Sequence, residues 1–437
     1  MKKFFMLTII LLFSLCLLTY NFYNDSSIDD TLINNIKPQN MLSIMLESND
    51  GSGNYVMTTQ NSWPTDGYVF NSELSKCENG GTLSWDDTNK KVLFEGNNID
   101  KCYVYFDVVK PMSLAEYVIS QYTGTQGVNG IYYHDSNLTN GAGDNSYRYA
   151  GANPNNYVCF GSDDATCPSE NLYRIIGVID GKVKLIHANG ATTDMLGTNE
   201  GYAKTYQAAW GSVSSYYKGN GDLTKIGTYK WNKIKNNTWS ASTTNTINLN
   251  TNYLTYLDGK NAKWKNMIAD TTWYVGGMTG ANGQKSNAKT AYNYEVGANK
   301  DATTTVTSKI GLMYLSEYYY GATPDYWTLP GYDQNGSWNS DYTVWLGNDY
   351  SKAYRDNWMS TRLIEWTLSR ISDYSFTAFG VGVDGGVVDV DVGDLSVLRP
   401  SFSLSSSIKF TSGEGTAVNP IRIQLWIYFI NYVLYEI

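Results

Sequence analysis

The sequence predicts an α+β protein, in which a small N-terminal β-sandwich-like module precedes one larger domain with a mixed, twisted sheet and long loops. Three observations favour this fold class. Apolar and polar residues alternate through much of residues 55–109, which is the period of a half-buried strand. Asp180-Gly181 and Asp384-Gly385 each separate two apolar runs and therefore indicate hairpins. Helical spacing covers only short stretches, such as residues 114–121 after Ser113.

The composition fits strands and loops, and it narrows the range of partners. Charged residues make up 17% of the 437 residues, whereas the chain has 37 Tyr, 13 Trp and 40 Gly. Tyr and Trp offer large, rigid contact surfaces with a polar tip. The net charge is −9 and no block of Lys or Arg is present, which disfavours a nucleic-acid partner. The composition therefore favours strands, turns and long loops with aromatic contact area, and it disfavours nucleic acid as a partner.

The first residues have the pattern of a targeting segment. Lys2 and Lys3 precede an apolar run from Phe4 to Leu18, which is typical of a signal peptide or a signal anchor. The stretch from Phe4 to Tyr23 approaches the ~20 residues that cross a bilayer, and no good cleavage site follows the run. Both alternatives stay open. We expect residues 1–23 to send the chain out of the cytoplasm, to the extracellular side or the cell surface, and to be its one contact with the membrane.

Four cysteines fall into two local pairs. Cys77 lies near Cys102 in the sequence, and Cys159 lies near Cys167. Of the three possible connectivities, local pairing is the simplest, and disulfides suit a protein outside the cytoplasm. Neither pair has the spacing of a zinc site, and the chain has only two histidines. We therefore expect two disulfides, and neither a metal nor a cofactor.

The chain divides into parts of different character. After the targeting segment, residues 24–50 are polar and are predicted to be a stalk or linker, with an irregular first strand as the alternative. Residues 51–110 form the small β module, and residues 111–423 the large domain. Residues 424–437 are an atypical apolar tail. In the large domain we expect strands at residues 172–179, 182–187, 273–277, 310–314, 366–369, 375–383, 386–392 and 404–410, and helices at 251–257 and 262–268.

Late motifs resemble those of a known group. Residues 365–370 read Glu-Trp-Thr-Leu-Ser-Arg, residues 397–404 read Val-Leu-Arg-Pro-Ser-Phe-Ser-Leu, and residues 413–423 contain Gly-Glu-Gly-Thr and Asn-Pro-Ile-Arg-Ile. They are similar to motifs of uncharacterised surface proteins of gut Firmicutes with a C-terminal C-type-lectin-like domain, in the version shared with formylglycine-generating enzymes. Residues 147–151 and 171–177 are similar to the start of that domain. The resemblance implies a C-type-lectin-like domain with insertions.

Several motif residues are assigned to the architecture of the fold. Trp366, Arg370, Arg399 and Pro400 belong to this group, because an alternating buried strand needs them locally. We expect the two motifs that hold them to lie side by side in the central sheet. The chain departs from the group where Val-Leu replaces Gly-Val at residues 397–398 and where an Ile replaces a Tyr.

The sequence gives little support to catalysis. The catalytic cysteines of the formylglycine-generating version would have to follow Cys167, and none does. His134 is expected in a polar loop and His187 at the end of an apolar strand, without a nearby Gly-x-Ser-x-Gly. We therefore name no catalytic residue. An enzyme of unknown chemistry on a degenerate site stays open as an alternative, and two or more titratable groups in a deep pocket would favour it. A passive surface structural component is the other alternative.

The remaining hypothesis is binding through the late loops of the lectin-like domain. In that fold the resemblance implies ligand surfaces near the C-terminal end of the domain. We expect Asp373, Tyr374 and Phe376 to share one exposed patch with Tyr342 or Trp345. Aromatic rings and a carboxylate can stack on a sugar and bond its hydroxyls, or anchor a protein interface. The sequence thus predicts an exported cell-surface binding protein or adhesin for an extracellular glycan or protein.

Overall fold

The computed structural model describes residues 41–48, 53–58, 63–64, 67–96, 100–109, 111–211, 217–328 and 356–425. The predicted targeting segment lies outside these residues, as does the apolar tail from residue 426 onward. The described residues contain both helices and strands, so the α+β class is confirmed. No helix within the described ranges is long and apolar enough to cross a membrane. The described residues fall into two compact units, which divide between Pro111 and Met112.

The regular secondary structure in the described residues of the first unit is strand. Four of its strands form a sheet in the order β2-β1-β6-β3, in which β1 runs parallel to β6, and β4 and β5 form a separate hairpin. The strands are β1 Met41–Glu47, β2 Tyr55–Met57, β3 Tyr68–Cys77, β4 Thr82–Asp86, β5 Lys91–Glu95 and β6 Lys101–Val108. Strand β1 lies within residues 24–50, where the sequence analysis left a first strand open as the alternative to a stalk.

Alternating side chains build the core of the first unit. Val104 and Phe106 of β6 are fully buried, and they pack with Ile44 of β1 and Val92 of the hairpin. The ring of Trp85 meets Phe106 edge-on, with 5.5 Å between ring centroids. The hairpin therefore covers one face of the four-stranded sheet, because both bury their apolar side chains in the same cluster.

Both predicted disulfides are confirmed. Cys77 and Cys102 are directly opposite each other on β3 and β6, and they are bonded. Cys159 is bonded to Cys167 across a short loop of the second unit. Asp100 lies beside the first disulfide, but sulfurs joined to each other offer no thiolate for a metal.

The central sheet of the second unit has the order β19-β11-β10-β8-β7, and β9 also pairs with β10. Every ladder in it is antiparallel, so the prediction of a mixed sheet is wrong for the described strands. The tight turn at Asp180-Gly181 makes the two strands that it joins antiparallel, because parallel neighbours need long crossovers. The strands are β7 Ile131–His134, β8 Ser146–Tyr149, β9 Tyr157–Cys159, β10 Leu172–Ile179, β11 Lys182–His187 and β19 Ser401–Ser403.

Smaller elements surround this sheet. The predicted hairpin at Asp384-Gly385 is confirmed and joins two strands of a three-stranded sheet in the order β16-β17-β18. The other strands are β12 Tyr202–Thr205, β13 Gly227–Tyr229, β14 Thr271–Tyr274, β15 Thr305–Ser308, β16 Glu365–Arg370, β17 Thr377–Val381, β18 Val387–Asp391, β20 Ile408–Ser412 and β21 Arg422–Leu425. The last of these includes Gln424 and Leu425, which the sequence analysis assigned to the tail.

The helices of the second unit are short. The first begins at the predicted place, because Ser113 and Glu116 bond each other's backbone N–H in a capping box. The α-helices are α1 Leu114–Ser120, α2 Thr193–Leu196, α3 Tyr206–Trp210, α4 Leu254–Lys260, α5 Ala262–Asn266, α6 Gly280–Gly283, α7 Ala288–Glu295 and α8 Leu315–Tyr320, and a π-helical segment covers Thr244–Tyr253. The helices predicted at 251–257 and 262–268 correspond to α4 and α5, the former displaced by three residues.

Two strand predictions fail in the second unit. Residues 310–314 are irregular, and only Gly311 makes a single bridge, to Ser401. The strand expected at 404–410 is broken by a turn between β19 and β20. The two late motifs also lie in different sheets, and they meet at one parallel bridge between Glu365 and Val397. Their predicted pairing within one central sheet is therefore wrong.

The residues assigned to architecture lie in or beside the core of this unit. Trp366 is 1% exposed, and its indole N–H donates to the carbonyl of Tyr229 at 2.9 Å. Arg399 and Pro400 are buried, and Arg370 is half-buried. The Arg399 guanidinium donates to the carbonyl oxygen of His187 and forms an ion pair with Glu365 at 3.1 Å.

Candidate functional site

The sequence-predicted patch lies on the turn between β16 and β17. Asp373, Tyr374 and Phe376 are all exposed there, Tyr374 to 55% and Phe376 to 47%. The two rings meet edge-on with 6.3 Å between their centroids. Tyr342 and Trp345, the other members of the predicted patch, lie outside the described residues. The turn thus presents two aromatic rings and a carboxylate on one short segment.

Hydrogen bonds fix the backbone of this turn. The side-chain amide of Asn237 donates to three carbonyl oxygens of the turn and its flanks, at 2.6 to 2.8 Å. Asp373 accepts a hydrogen bond from the backbone N–H of Gly280 at 3.3 Å. A turn held in this way presents its exposed rings at little cost in conformational entropy.

A second candidate is a cleft that the sequence did not predict. It has a volume of about 510 Å³ and lies in the second unit. Its walls come from β8, the β10–β11 hairpin, β14, and the facing ends of α7 and α8. The volume is within the range of small-molecule sites. Its buried lining residues are Arg148, Lys184, Trp273, Tyr292, Tyr314, Ser316 and Glu317, and its more exposed ones include Asp144, Asp180, Lys182, Asp270, Tyr274 and Lys300.

Two buried ion pairs line the cleft. Arg148 on β8 pairs with Asp144 at 2.7 Å, and the Arg148 side chain is 3% exposed. Lys184 on β11 pairs with Glu317 of α8 at 2.5 Å, and both side chains are less than 8% exposed. Burying charges costs free energy even when they are paired. Two such ion pairs beside one cavity therefore contribute little to the stability of the fold. Charged groups gathered in a cleft are more typical of functional sites.

Local structure holds both carboxylates. Glu317 is the third residue of α8, and its second oxygen accepts the backbone N–H of Tyr314 at 2.9 Å in a capping arrangement. Asp144 accepts from the backbone N–H and the hydroxyl of Ser146, at 3.1 and 2.5 Å. All four carboxylate oxygens therefore have partners inside the protein.

Aromatic rings surround the two cations. The Lys184 ammonium lies 4.8 Å from the ring centroid of Trp273 and 4.9 Å from that of Tyr314. The Arg148 guanidinium lies 5.7 Å from the ring of Tyr292. Tyr274 is half-buried at the cleft. Cation–π contacts of this kind hold the cations in position.

The electrostatics keep the Asp144 carboxylate and the Arg148 guanidinium charged. Burial alone would raise the pKa of Asp144, but Arg148 and Ser146 hold it well below its usual range. Burial lowers the pKa of Lys184, and the neighbouring Glu317 opposes that shift. Asp144, Arg148 and Lys184 thus each have a partner that favours their ionised form.

A group of titratable residues in a pocket was the criterion for the enzyme alternative, and the cleft meets it. Asp144 has a lowered pKa, whereas a general acid needs a raised one. Burial raises the pKa of Glu295 to about 7, but this carboxyl accepts the backbone N–H groups of Leu315 and Ser316 and lies outside the cleft lining. The described arrangement is suited to holding a ligand.

The two histidines do not contribute to either candidate. His134 was expected in a polar loop, but it is fully buried at the end of β7, where Nδ1 accepts the backbone N–H of Ala142 at 3.0 Å. That expectation is wrong, because the apolar residues of β7 carry the segment into the core. His187 is buried, and its two ring nitrogens contact the carbonyl oxygens of Asn189 and Glu170.

The cleft residues come from segments far apart in the sequence. Their only local signal is a charge inside an apolar run, as at Lys184 between Val183 and Leu185. Arg148 between two tyrosines is a weaker example of the same signal. A charge at an inward position of a strand predicts a partner or a ligand, but it does not identify which one.

The chain matches no protein-family model, no curated protein and no solved structure.

Proposed function

We propose that the chain is an exported cell-surface binding protein or adhesin whose second unit holds an extracellular glycan in the cleft. The observation that carries the proposal is the convergence of two buried ion pairs and several aromatic rings on one cavity of about 510 Å³. Aromatic faces pack against the apolar faces of a sugar ring. Charged side chains beside them make strong hydrogen bonds to hydroxyl groups.

The same proposal includes export from the cytoplasm, a C-type-lectin-like fold for the second unit and a sandwich-like fold for the first. The N-terminal pattern and two disulfides support a location outside the cytoplasm. The late motifs, the antiparallel sheet and the long connections support a C-type-lectin-like fold for the second unit. The hairpin that covers the four-stranded sheet supports a sandwich-like description of the first unit.

Replacing Tyr274 by Ala tests the cleft directly. Tyr274 is half-buried at the cleft, so truncation removes a stacking surface without opening the core. We expect the affinity of the purified full-length chain for the saccharides that it binds to fall about tenfold, which corresponds to ~1.4 kcal/mol. Calorimetric titration against a saccharide panel measures it. Tyr256→Ala is the matched control, because Tyr256 is also half-buried but lies on α4, away from the cleft.

The same titration separates the cleft from the exposed turn, which is the second candidate site. Asp373 and Tyr374 are exposed, so their double replacement by Ala should lower the melting temperature only slightly. If the cleft holds the glycan, this double variant keeps its affinity within twofold. Loss of binding in the turn variant, with Tyr274→Ala unaffected, would assign the ligand to the turn instead.

A further inference from the structure

The two buried cations of the cleft have N–H groups that donate no hydrogen bond to a described residue. Arg148 donates from Nε to the Ser146 hydroxyl at 2.8 Å and from Nη2 to Asp144 at 2.7 Å. Its Nη1 has no hydrogen-bond partner among the described residues. Lys184 has three N–H bonds and a single partner, Glu317. Both cations therefore have donors available for a ligand.

Two lysines at the rim of the cleft add further positive charge. Lys182 and Lys300 line the cleft, and neither has a carboxylate within 4.0 Å in the described part of the chain. The ammonium of Lys300 lies 5.1 Å from the ring of Tyr274, next to the proposed stacking surface. Neither lysine of the cleft thus forms an ion pair with a described residue.

Most carboxylates of the lining are already engaged by the protein. Every oxygen of Asp144 and Glu317 already accepts a hydrogen bond from the protein. Asp270 at the rim lies 3.5 Å from Lys309. The exposed Asp180 is the one lining carboxylate without a partner among the described residues, so the two lysines outnumber it. A ligand that fills this cleft therefore gains most by bringing acceptor oxygens and negative charge.

We infer that the cleft selects an anionic saccharide, in which a carboxylate or sulfate oxygen accepts from Arg148 and Lys184 while the rim lysines stabilise the charge. This inference rests on the proposed glycan-binding function and names its ligand class. Charge-assisted bonds from a guanidinium or ammonium to an anionic oxygen are stronger than those to a neutral hydroxyl. Rim charges in addition attract the anion before it docks.

Matched saccharide pairs test the inference. Each pair contains an acidic oligosaccharide and the same sugar with its carboxylate methyl-esterified, and a sulfated sugar with its unsulfated parent distinguishes the two kinds of anion. We expect the full-length chain to bind the acidic member at least tenfold more tightly at low salt. Raising the salt concentration should reduce that preference, because exposed charges are screened.

Variants assign the preference to the cleft. In Lys182→Gln/Lys300→Gln the preference for the acidic member over the neutral member should fall at least threefold. Lys225→Gln is the control, since Lys225 is exposed on the same unit but does not line the cleft. A melting curve of each variant shows whether it is folded.

The outcomes separate the inference from the function on which it rests. If the protein binds both members of a saccharide pair equally well, or binds only neutral saccharides, the inference is overturned and glycan binding stands. An acidic preference that survives in the double lysine variant contradicts the role of the rim lysines. If no saccharide of either charge binds, the proposed function itself fails.

Discussion

Replacing Arg399 by Met is expected to lower the free energy of unfolding of the second unit by about 3–5 kcal/mol. Arg399 and Glu365 are each 2% exposed in their side chains, and they pair at 3.1 Å. The Glu365 carboxylate also accepts from Thr361, whose hydroxyl cannot neutralise it. Without Arg399 a buried carboxylate loses its counter-charge, and denaturant unfolding followed by tryptophan fluorescence measures the loss.

A double variant shows whether the pairing is the cause. In Glu365→Gln/Arg399→Met no buried charge remains unpaired, so this variant should be more stable than Arg399→Met alone. A loss of less than about 1 kcal/mol in the single variant would mean that water reaches Glu365, contrary to its described burial. The result bears on the late motifs, because this ion pair joins residues 365–370 to residues 397–404.

Glu295 is expected to make the second unit less stable as the pH rises. Burial raises its pKa from 4.5 to about 7, opposed by bonds from Ser316 and Ser369. Between these pH values the folded state binds a proton that the unfolded state has lost. Its contribution is therefore fully present below about pH 4.5 and lost as the pH rises through 7, a change on the order of 3 kcal/mol. Unfolding midpoints between pH 5 and 8 measure it.

Comparison with Glu295→Gln isolates this contribution. Burial lowers the pKa of His134 and His187, and these groups have the opposite effect on stability over part of the same pH range. The histidine contributions cancel when the free energy of unfolding of Glu295→Gln is subtracted from that of the wild type. This difference should fall by about 1.4 kcal/mol per pH unit between the two pKa values. Glu414→Gln, at an exposed site of the same unit, is the control. Parallel pH profiles for wild type and Glu295→Gln would show that Glu295 does not titrate in this range.

Local chemistry made part of the fold predictable. The Asp-Gly turns, the Ser113 cap and the sequence-local disulfides each depend on residues close in the chain, and the structure confirms them. Residues 310–314 were misjudged because an apolar run that is buried on all sides looks the same in a strand and in an irregular segment. The antiparallel order of the central sheet depends on contacts between distant segments, which no local pattern specifies.

Of the two candidate sites, the exposed turn was predictable from the sequence and the cleft was not. Exposure of Asp373, Tyr374 and Phe376 followed from a short polar turn between apolar strands. The cleft could not be foreseen, because Arg148 and Glu317 lie far apart in the sequence and meet only through the folded chain. A charge within an apolar strand indicated that a partner or a ligand was needed, but it did not identify which residue or molecule that is.

The central claim is that the cleft holds the ligand, and a crystal structure of the full-length chain with a bound acidic oligosaccharide tests it most directly. We expect electron density for the sugar in the cleft, with a ring against Tyr274 and an anionic oxygen within hydrogen-bond distance of the Arg148 guanidinium. Density on the turn at Tyr374 and Phe376, with the cleft holding only water, would contradict the claim.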